Sequence, residues 1–239
     1  MKRIIHTTEA RSAKIAEPLT FAVAPDIHSG QYADVLEAML GCDAVLLPGD
    51  LMDRHRRNNS RAAEFLRTVP EIVPVFLSPG NHEALYPRQD ELAGMLRHSA
   101  VRLLDNTDEE FRGIRIGGLS SREENDADTG FLDRFEAEDG FRLLLCHQPE
   151  IYRDYVSGRD IDLTLCGHAH GGQIQIRGRG IYSPGQGLFP RLTGGWYDDR
   201  RMLLSRGMTN ASKPPVPRFG NPCELIILRL LPEEEKEQC

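Results

Sequence analysis

Five apolar runs in this 239-residue chain each hand over, at their carboxyl end, to a side chain that can bind a metal. That repetition constrains the fold more than any other feature. Leu19 to Ala24 delivers Pro25-Asp26-Ile27-His28, Ala44 to Leu47 delivers Pro48-Gly49-Asp50, and Val73 to Leu77 delivers Ser78-Pro79-Gly80-Asn81-His82-Glu83. Phe141 to Leu145 delivers Cys146-His147, and Ile161 to Cys166 delivers Gly167-His168-Ala169-His170. Segments of helical period lie between them: Tyr32, Val35, Leu36, Met39 and Leu40 closing at Gly41, then Ala62 to Val69 capped by Ser60, then Leu92, Met95 and Leu96. A further helix opens at Pro149 and carries Ile151, Tyr152, Tyr155 and Val156. Strands alternating with helices predict a largely parallel sheet, with ligands bound in the crevice beyond the strand ends.

The convergent set is Asp26, His28, Asp50, Asn81, His147, His168 and His170. In an extended chain alternate residues point the same way, so Asp26 with His28, and His168 with His170, can each serve one cluster. Taken alone, the last pair reads equally well as two hydrogen-bonding loop histidines beside flexible glycines. Taken with the rest, the set exceeds the four groups of one tetrahedral ion and suits two metals about 4 Å apart with a bridging carboxylate. Two divalent ions bring more charge than Asp26 and Asp50 cancel, and the excess suits an anionic substrate such as a phosphate ester. Asp, Asn and His together accept Mn, Fe, Zn or Co.

Composition narrows the class. A net charge of −7 argues against a general nucleic-acid coat. The N-terminus lacks a continuous apolar stretch, so the expectation is no signal peptide and no membrane anchor. Five cysteines without a C-x-x-C pair fit a reduced, cytoplasmic setting. Cys146 and Cys166 precede ligand histidines and should face the core instead. The remaining strands are expected at Val101 to Leu104, Phe111 to Ile116 and Gly117 to Leu119, with antiparallel strands at Gln173 to Ile176, Gly180 to Tyr182 and Met202 to Ser205, and a last strand at Leu225 to Leu230. The acidic stretch Ser120 to Gly140 reads as a loop with a short helix near Phe131. One domain over 1–232 and a charged tail over 233–239 complete the expected organisation.

The blocks Asp26-Ile27-His28, Gly49-Asp50-Leu51-Met52-Asp53, Gly80-Asn81-His82-Glu83, Cys146-His147 and Gly167-His168-Ala169-His170 resemble, in order, the five signatures of the calcineurin-like metallophosphoesterase superfamily. The resemblance implies an α/β fold, a four-layer α/β/β/α sandwich in which two mixed β-sheets pack face to face with flanking helices. It also implies a dinuclear centre, with Asp26, His28 and His170 on one metal, Asn81, His147 and His168 on the other, and Asp50 bridging. Gly171-Gly172-Gln173, Ser205-Arg206-Gly207 and Arg218-Phe219-Gly220-Asn221-Pro222-Cys223-Glu224 resemble a bacterial branch related to membrane-linked phosphodiesterases.

On this reading the chain hydrolyses a phosphodiester or phosphomonoester by attack of a hydroxide between two divalent ions. His82, next to Asn81, is the candidate general acid and Asp53 a candidate to orient it; a turn or helix-cap role for Asp53 stays open. Asn81, His82 and Arg218 are candidates for substrate contact, Glu83 braces the loop, and Gly171 and Gly172 permit either close backbone approach or a tight turn. The expected partner is a small phosphorylated, nucleotide-like substrate. Its recognition is expected in Arg54 to Ser60, Arg122 to Asp133 and Pro184 to Asp199. The rival from another class is a catalytically silent scaffold that keeps the fold; a dinuclear amide hydrolase is the enzymatic rival.

Overall fold

A computed structural model describes residues 3–121, 126–210 and 216–234. Part of the acidic stretch, 122–125, and most of the expected tail, 235–239 with Cys239, lie outside the described residues. The first sheet takes Ile4–Ser12 (β1), Leu19–Val23 (β2), Ala44–Pro48 (β3), Val75–Ser78 (β4) and Arg102–Leu103 (β5). The second takes Thr107–Phe111 (β6), Ile114–Leu119 (β7), Phe141–Cys146 (β8), Leu163–Cys166 (β9), Gly195–Tyr197 (β10) and Met202–Leu204 (β11). Glu224–Pro232 (β12) returns to the first sheet, giving the orders β1-β12-β2-β3-β4-β5 and β10-β11-β9-β8-β7-β6. Strands β2 to β5 run parallel, as do β7, β8, β9 and β11, while β12 and β6 run against their neighbours β2 and β7.

The period of two along each strand decides the layers. Phe21, Val23, Leu46 and Phe76 of the first sheet meet Leu143, Leu145, Leu163 and Leu165 of the second in a shared core. The alternate residues face outward: Ala22, Val45, Leu47 and Leu77 pack under the helices Leu36–Leu40 (α1), Ser60–Thr68 (α2) and Gln89–Arg97 (α4). Between α2 and α4 lies the single turn Asn81–Ala84 (α3). On the other side Leu144, Cys146 and Cys166 pack under Thr129–Glu136 (α5) and Pro149–Ile151 (α6), the latter continuing as a wider π turn to Val156. The result is the expected four-layer α/β/β/α sandwich, with both cysteines in the outer core. Among the described residues no helix is long and apolar enough to cross a membrane.

Several local expectations are corrected. Strand β1 pairs in parallel with β12 from Ile4 against Glu224 to Ser12 against Pro232. Its first four side chains are exposed, so it shows no apolar alternation, as befits a sheet edge. The chain turns at Arg112-Gly113, both at positive φ (50° and 82°), so β6 and β7 form a two-residue hairpin where the sequence suggested one run to Ile116. Met202–Leu204, expected antiparallel, runs parallel to β9 and antiparallel only to β10. The N-cap of α2 is Asn59 rather than Ser60, and its side chain makes no cap bond.

Candidate metal centre

All five parallel strands that carry candidate ligands end at the same edge of the sandwich, β2, β3 and β4 from one sheet and β8 and β9 from the other. Backbone bonds lock the loops together across them: Asp26 N donates to Gly49 O (3.1 Å), His28 N to Asp50 O (2.9 Å) and Gly167 N to His147 O (2.9 Å). Six of the seven expected ligands fall into two buried groups, Asp26 with His28 and His170, and Asp50 with His147 and His168. Within each group the ligand atoms lie within 4.8 Å of one another. Asp50 Oδ2 lies between them, 3.1 Å from His147 Nε2, 3.8 Å from His28 Nε2 and 4.0 Å from His82 Nε2. Asn81 stands beside His82, and its Oδ1 is buried without a hydrogen-bond partner.

The route by which these residues meet differs from the extended alternation inferred from the sequence. Asp26, His28, Asp50, His168 and His170 all take positive φ, between 46° and 68°. Each non-glycine residue held there costs roughly 1–2 kcal/mol. Because His168 and His170 lie in a tight turn instead of a strand, their rings diverge. His168 Nδ1 lies 3.2 Å from His147 Nε2, whereas His170 Nε2 lies 3.3 Å from His28 Nε2. Glycines let the loops close on the carboxylates. A Cβ on Gly80 would stand 2.3 Å from Asp50 Oδ1, and one on Gly207, itself at φ 81°, 2.7 Å from Asp26 Oδ2.

A backbone carbonyl orients one ring: His147 Nδ1–H donates to Pro48 O (2.8 Å), which turns Nε2 toward Asp50. His170 Nδ1 lies 3.2 Å from Thr209 O, while its Nε2 faces His28. Arg218 stands behind His170: its Nη2 donates to Thr209 O (2.7 Å) and lies 3.1 Å from His170 Nδ1, on the side away from the other ligands. Its guanidinium therefore packs against a candidate ligand. His82 Nδ1 accepts from the Arg54 N–H at 3.2 Å, so its proton sits on Nε2, the atom facing Asp50. Asp53 Oδ1 is 3.6 Å from Nδ1, within ion-pair range but too far for a hydrogen bond. The carboxylate instead accepts the His55 N–H (3.0 Å) and pairs with Arg56 Nε (3.3 Å).

Two supporting residues carry more than the sequence indicated. Glu83 accepts three buried N–H groups, from Asp50 (2.8 Å), Met52 (2.7 Å) and Gly80 (2.9 Å), and so ties the Asp50 and Asn81 loops into one unit. Asn59, which carried no sequence signal, grips Asp53 from both sides. Its Oδ1 accepts Asp53 N–H (2.9 Å) while Nδ2 donates to Asp53 O (3.1 Å) and Tyr86 Oη (3.2 Å). Only the Asn58-Asn59 pairing before an apolar helix could have hinted at such a polar anchor.

Burial sets the electrostatics of the cage. It pushes the Asp26 carboxyl up to about 7 and holds His28 and His168 down at about 3, against the pull of Asp50 at His28 and with the help of the His147 charge at His168. Burial also opposes a charge on His147, yet Asp50 at 3.1 Å overcomes it and raises that ring to about 10. With protein atoms alone, the His147 imidazolium and the Asp50 carboxylate thus form a buried ion pair 3.1 Å apart. The oriented ring nitrogens, the unpartnered Asn81 oxygen and the shared Asp50 oxygen fit a pair of divalent cations.

A pH dependence follows for the chelator-treated protein. His28 and His168 have folded values near 3, below the ordinary 6.5, so the unfolded chain gains protons first as pH falls. Their contribution is intact above 6.5 and is lost as pH falls toward 3. Asp26 and Glu83, raised from 3.8 and 4.5 to about 7, work the other way between those values, but these two acids oppose four imidazoles, because burial lowers His82 and His170 as well. Thermal melts should therefore show falling stability from pH 6.5 to 4 and a steeper fall below 4, where the unfolded acids also protonate. A flat profile would contradict the neutral imidazoles.

Comparison with known proteins gives an independent measure of the same residues. A model of the calcineurin-like phosphoesterase family matches residues 19–172, the span that holds every strand-end ligand. An uncharacterized metallophosphoesterase of Campylobacter jejuni is 28% identical over 195 residues, 71% of this chain and 50% of that protein. An uncharacterized Bacillus subtilis protein, YpbG, is 29% identical over 189 residues, 76% of this chain and 72% of its own. The crystal structure of TT1561 of Thermus thermophilus is similar with a TM-score of 0.46 and 21% identity, covering 62% of this chain and 81% of that one. The chain spans about half the length of the first curated relatives it matches.

Proposed function

The chain belongs to the calcineurin-like phosphoesterase family, and from that premise we propose that it is a metal-dependent phosphohydrolase acting on small, nucleotide-like phosphate esters, with diesters preferred to monoesters. The observation that carries the proposal is the position of Asp50, which groups with His147 and His168 on one side and with His28 and His82 on the other. Asp26, His28 and His170 would hold one ion, Asn81, His147 and His168 the other, and Asp50 both. Two divalent ions, Mn, Fe, Zn or Co, when bound there, supply charge that polarises the phosphoryl oxygens and activates water at neutral pH.

The protein's own groups do the rest. His82 presents Nε2 at the mouth of the cage, because Arg54 N–H already occupies Nδ1, and from the protonated ring the Nε2 proton would pass to the departing ester oxygen and leave a neutral imidazole. Asp53 and Asn59 hold the 53–56 turn that fixes the ring, and the Asp53 charge 3.6 Å away steadies the imidazole as it changes charge. Burial lowers His82 below the ordinary imidazole range in the free protein, while the Asp50 and Asp53 charges oppose that shift and favour the protonated ring that can act as the acid. A cytoplasmic setting agrees with Cys42, Cys146 and Cys166 standing outside any disulfide among the described residues.

Hydrolysis of bis(4-nitrophenyl) phosphate by the Mn²⁺-loaded protein tests this directly. His82→Ala should lower kcat by about 10²–10⁴ with metal content unchanged, and Asn81→Ala should lower both turnover and metal content. Absence of turnover that depends on both residues would sink the proposal. Metal analysis separates the scaffold reading, which does not require two ions per chain.

A further inference from the structure

Beside the metal groups, the same edge of the first sheet holds a cavity of about 730 Å³ whose lining includes Arg3, Gly30, Asp34, Arg56, Arg61 and Thr209. It shares its wall with the cage. Gly30 follows His28 by two residues, Thr209 O faces His170 Nδ1 at 3.2 Å, and Arg56 reaches both Ser29 O (3.2 Å) and Asp53 Oδ2 (3.3 Å). The lining carries three guanidinium groups and one carboxylate, in a chain whose net charge is −7.

These arginines are not equally committed. Arg3 is spent on Asp34, Gln31 O and Met208 O, and Arg56 on Asp53 and Ser29. Arg61, exposed at the start of α2, has no hydrogen bond or ion pair among the described residues. The run from 54 to 61 contributes Arg54, Arg56, Arg57 and Arg61 and no acidic residue. A planar fork of donors without a protein acceptor, at the mouth of a positively charged hollow, matches a phosphate better than an uncharged sugar or base. With Arg3 paired to Asp34 and Arg56 to Asp53, Arg61 is the guanidinium left to meet the roughly −1.5 to −2 of one phosphoryl group.

We propose that this cavity binds a second phosphoryl group of the substrate, so that the ester processed at the metal centre is one that carries a further phosphate. The inference rests on the phosphohydrolase reading and narrows its substrate class to bisphosphates or diphosphate-bearing nucleotides. Arg61 is then a specificity-determining residue: it takes no part in the chemistry and selects for the second anion. The cavity's volume exceeds what one phosphate fills, leaving room for the group that joins the two.

Binding to the Mn²⁺-loaded protein tests the proposal, with adenosine 5′-monophosphate, ADP and adenosine 3′,5′-bisphosphate as calorimetric probes. The wild-type protein should bind one of the two doubly phosphorylated probes at least about tenfold more tightly than the monophosphate. Arg61→Ala should erase that preference and Arg61→Lys restore part of it. Arg57→Ala, which removes the same charge just before α2 and outside the cavity lining, should leave the preference within about twofold. If neither doubly phosphorylated probe is preferred, or if Arg57→Ala and Arg61→Ala act alike, the subsite does not exist. Turnover of bis(4-nitrophenyl) phosphate by the wild-type protein is measured in parallel. Turnover without the preference overturns the subsite alone; the preference without turnover overturns the phosphohydrolase reading and leaves the anion site standing.

Discussion

Asp50→Asn is expected to leave a folded protein whose turnover of a phosphodiester falls by about 10²–10³ or more and whose metal content drops toward one ion per chain. The reason lies in how fully the carboxylate is used. Oδ1 accepts the His82 backbone N–H at 2.9 Å, while Oδ2 faces three imidazoles at 3.1 to 4.0 Å. An amide has one acceptor and one donor end. With its oxygen kept on His82 N–H, the NH₂ group points at the ring nitrogens that must bind cations; flipped, it opposes the backbone N–H. Either way the bridging negative charge is gone. The fold should survive, because the backbone bonds of residue 50, from its N–H to Glu83 and from His28 N–H to its carbonyl, do not involve the side chain. Metal analysis beside steady-state kinetics checks this: full dinuclear loading with undiminished kcat would remove Asp50 from its bridging role.

Much of this site was legible because the physics that places it is periodic. Phe21, Val23, Leu46, Leu143 and Leu165 mark the faces of strands directly, and a chain of parallel strands must bring Asp26, Asp50, Asn81, His147 and His168 to one edge. What the sequence hid falls into two kinds. Strand β1 buries little, so Ile4 to Ser12 lacks the pattern that a strand's burial imprints, and only the pairing with β12 reveals it. The other kind is backbone conformation. The positive φ of Asp26, His28, His168 and His170 is imposed by tertiary contacts on residues with no intrinsic preference strong enough to announce it. That conformation sends His168 and His170 to different groups by a turn, although their assignment to different ions came from the family resemblance. Asn59 was hidden for the same reason. Its worth depends on Asp53 and Tyr86 meeting it in space.

Glu83 offers the largest stability effect expected at the site. Glu83→Ala would strip the acceptor from the buried N–H groups of Asp50, Met52 and Gly80 together. An unsatisfied buried donor costs about 1–3 kcal/mol, so three of them outweigh the relief of removing a carboxyl that burial and Asp50 push up to about 7. A net loss of about 3–5 kcal/mol lowers Tm by about 10 °C in a domain of this size. Glu83→Gln separates shape from charge. Its oxygen can keep the Asp50 and Gly80 N–H groups, but its NH₂ then confronts Met52 N–H, while the burial of a charge is relieved. The two terms are of similar size, so its Tm should stay within about 4 °C of wild type while metal affinity falls with the displaced Asp50 loop. Melting curves of both variants decide the matter. If Glu83→Ala melts within about 2–3 °C of the wild type, the three hydrogen bonds do not organise the centre, and the strain at Asp50 must be held by the strand ends alone.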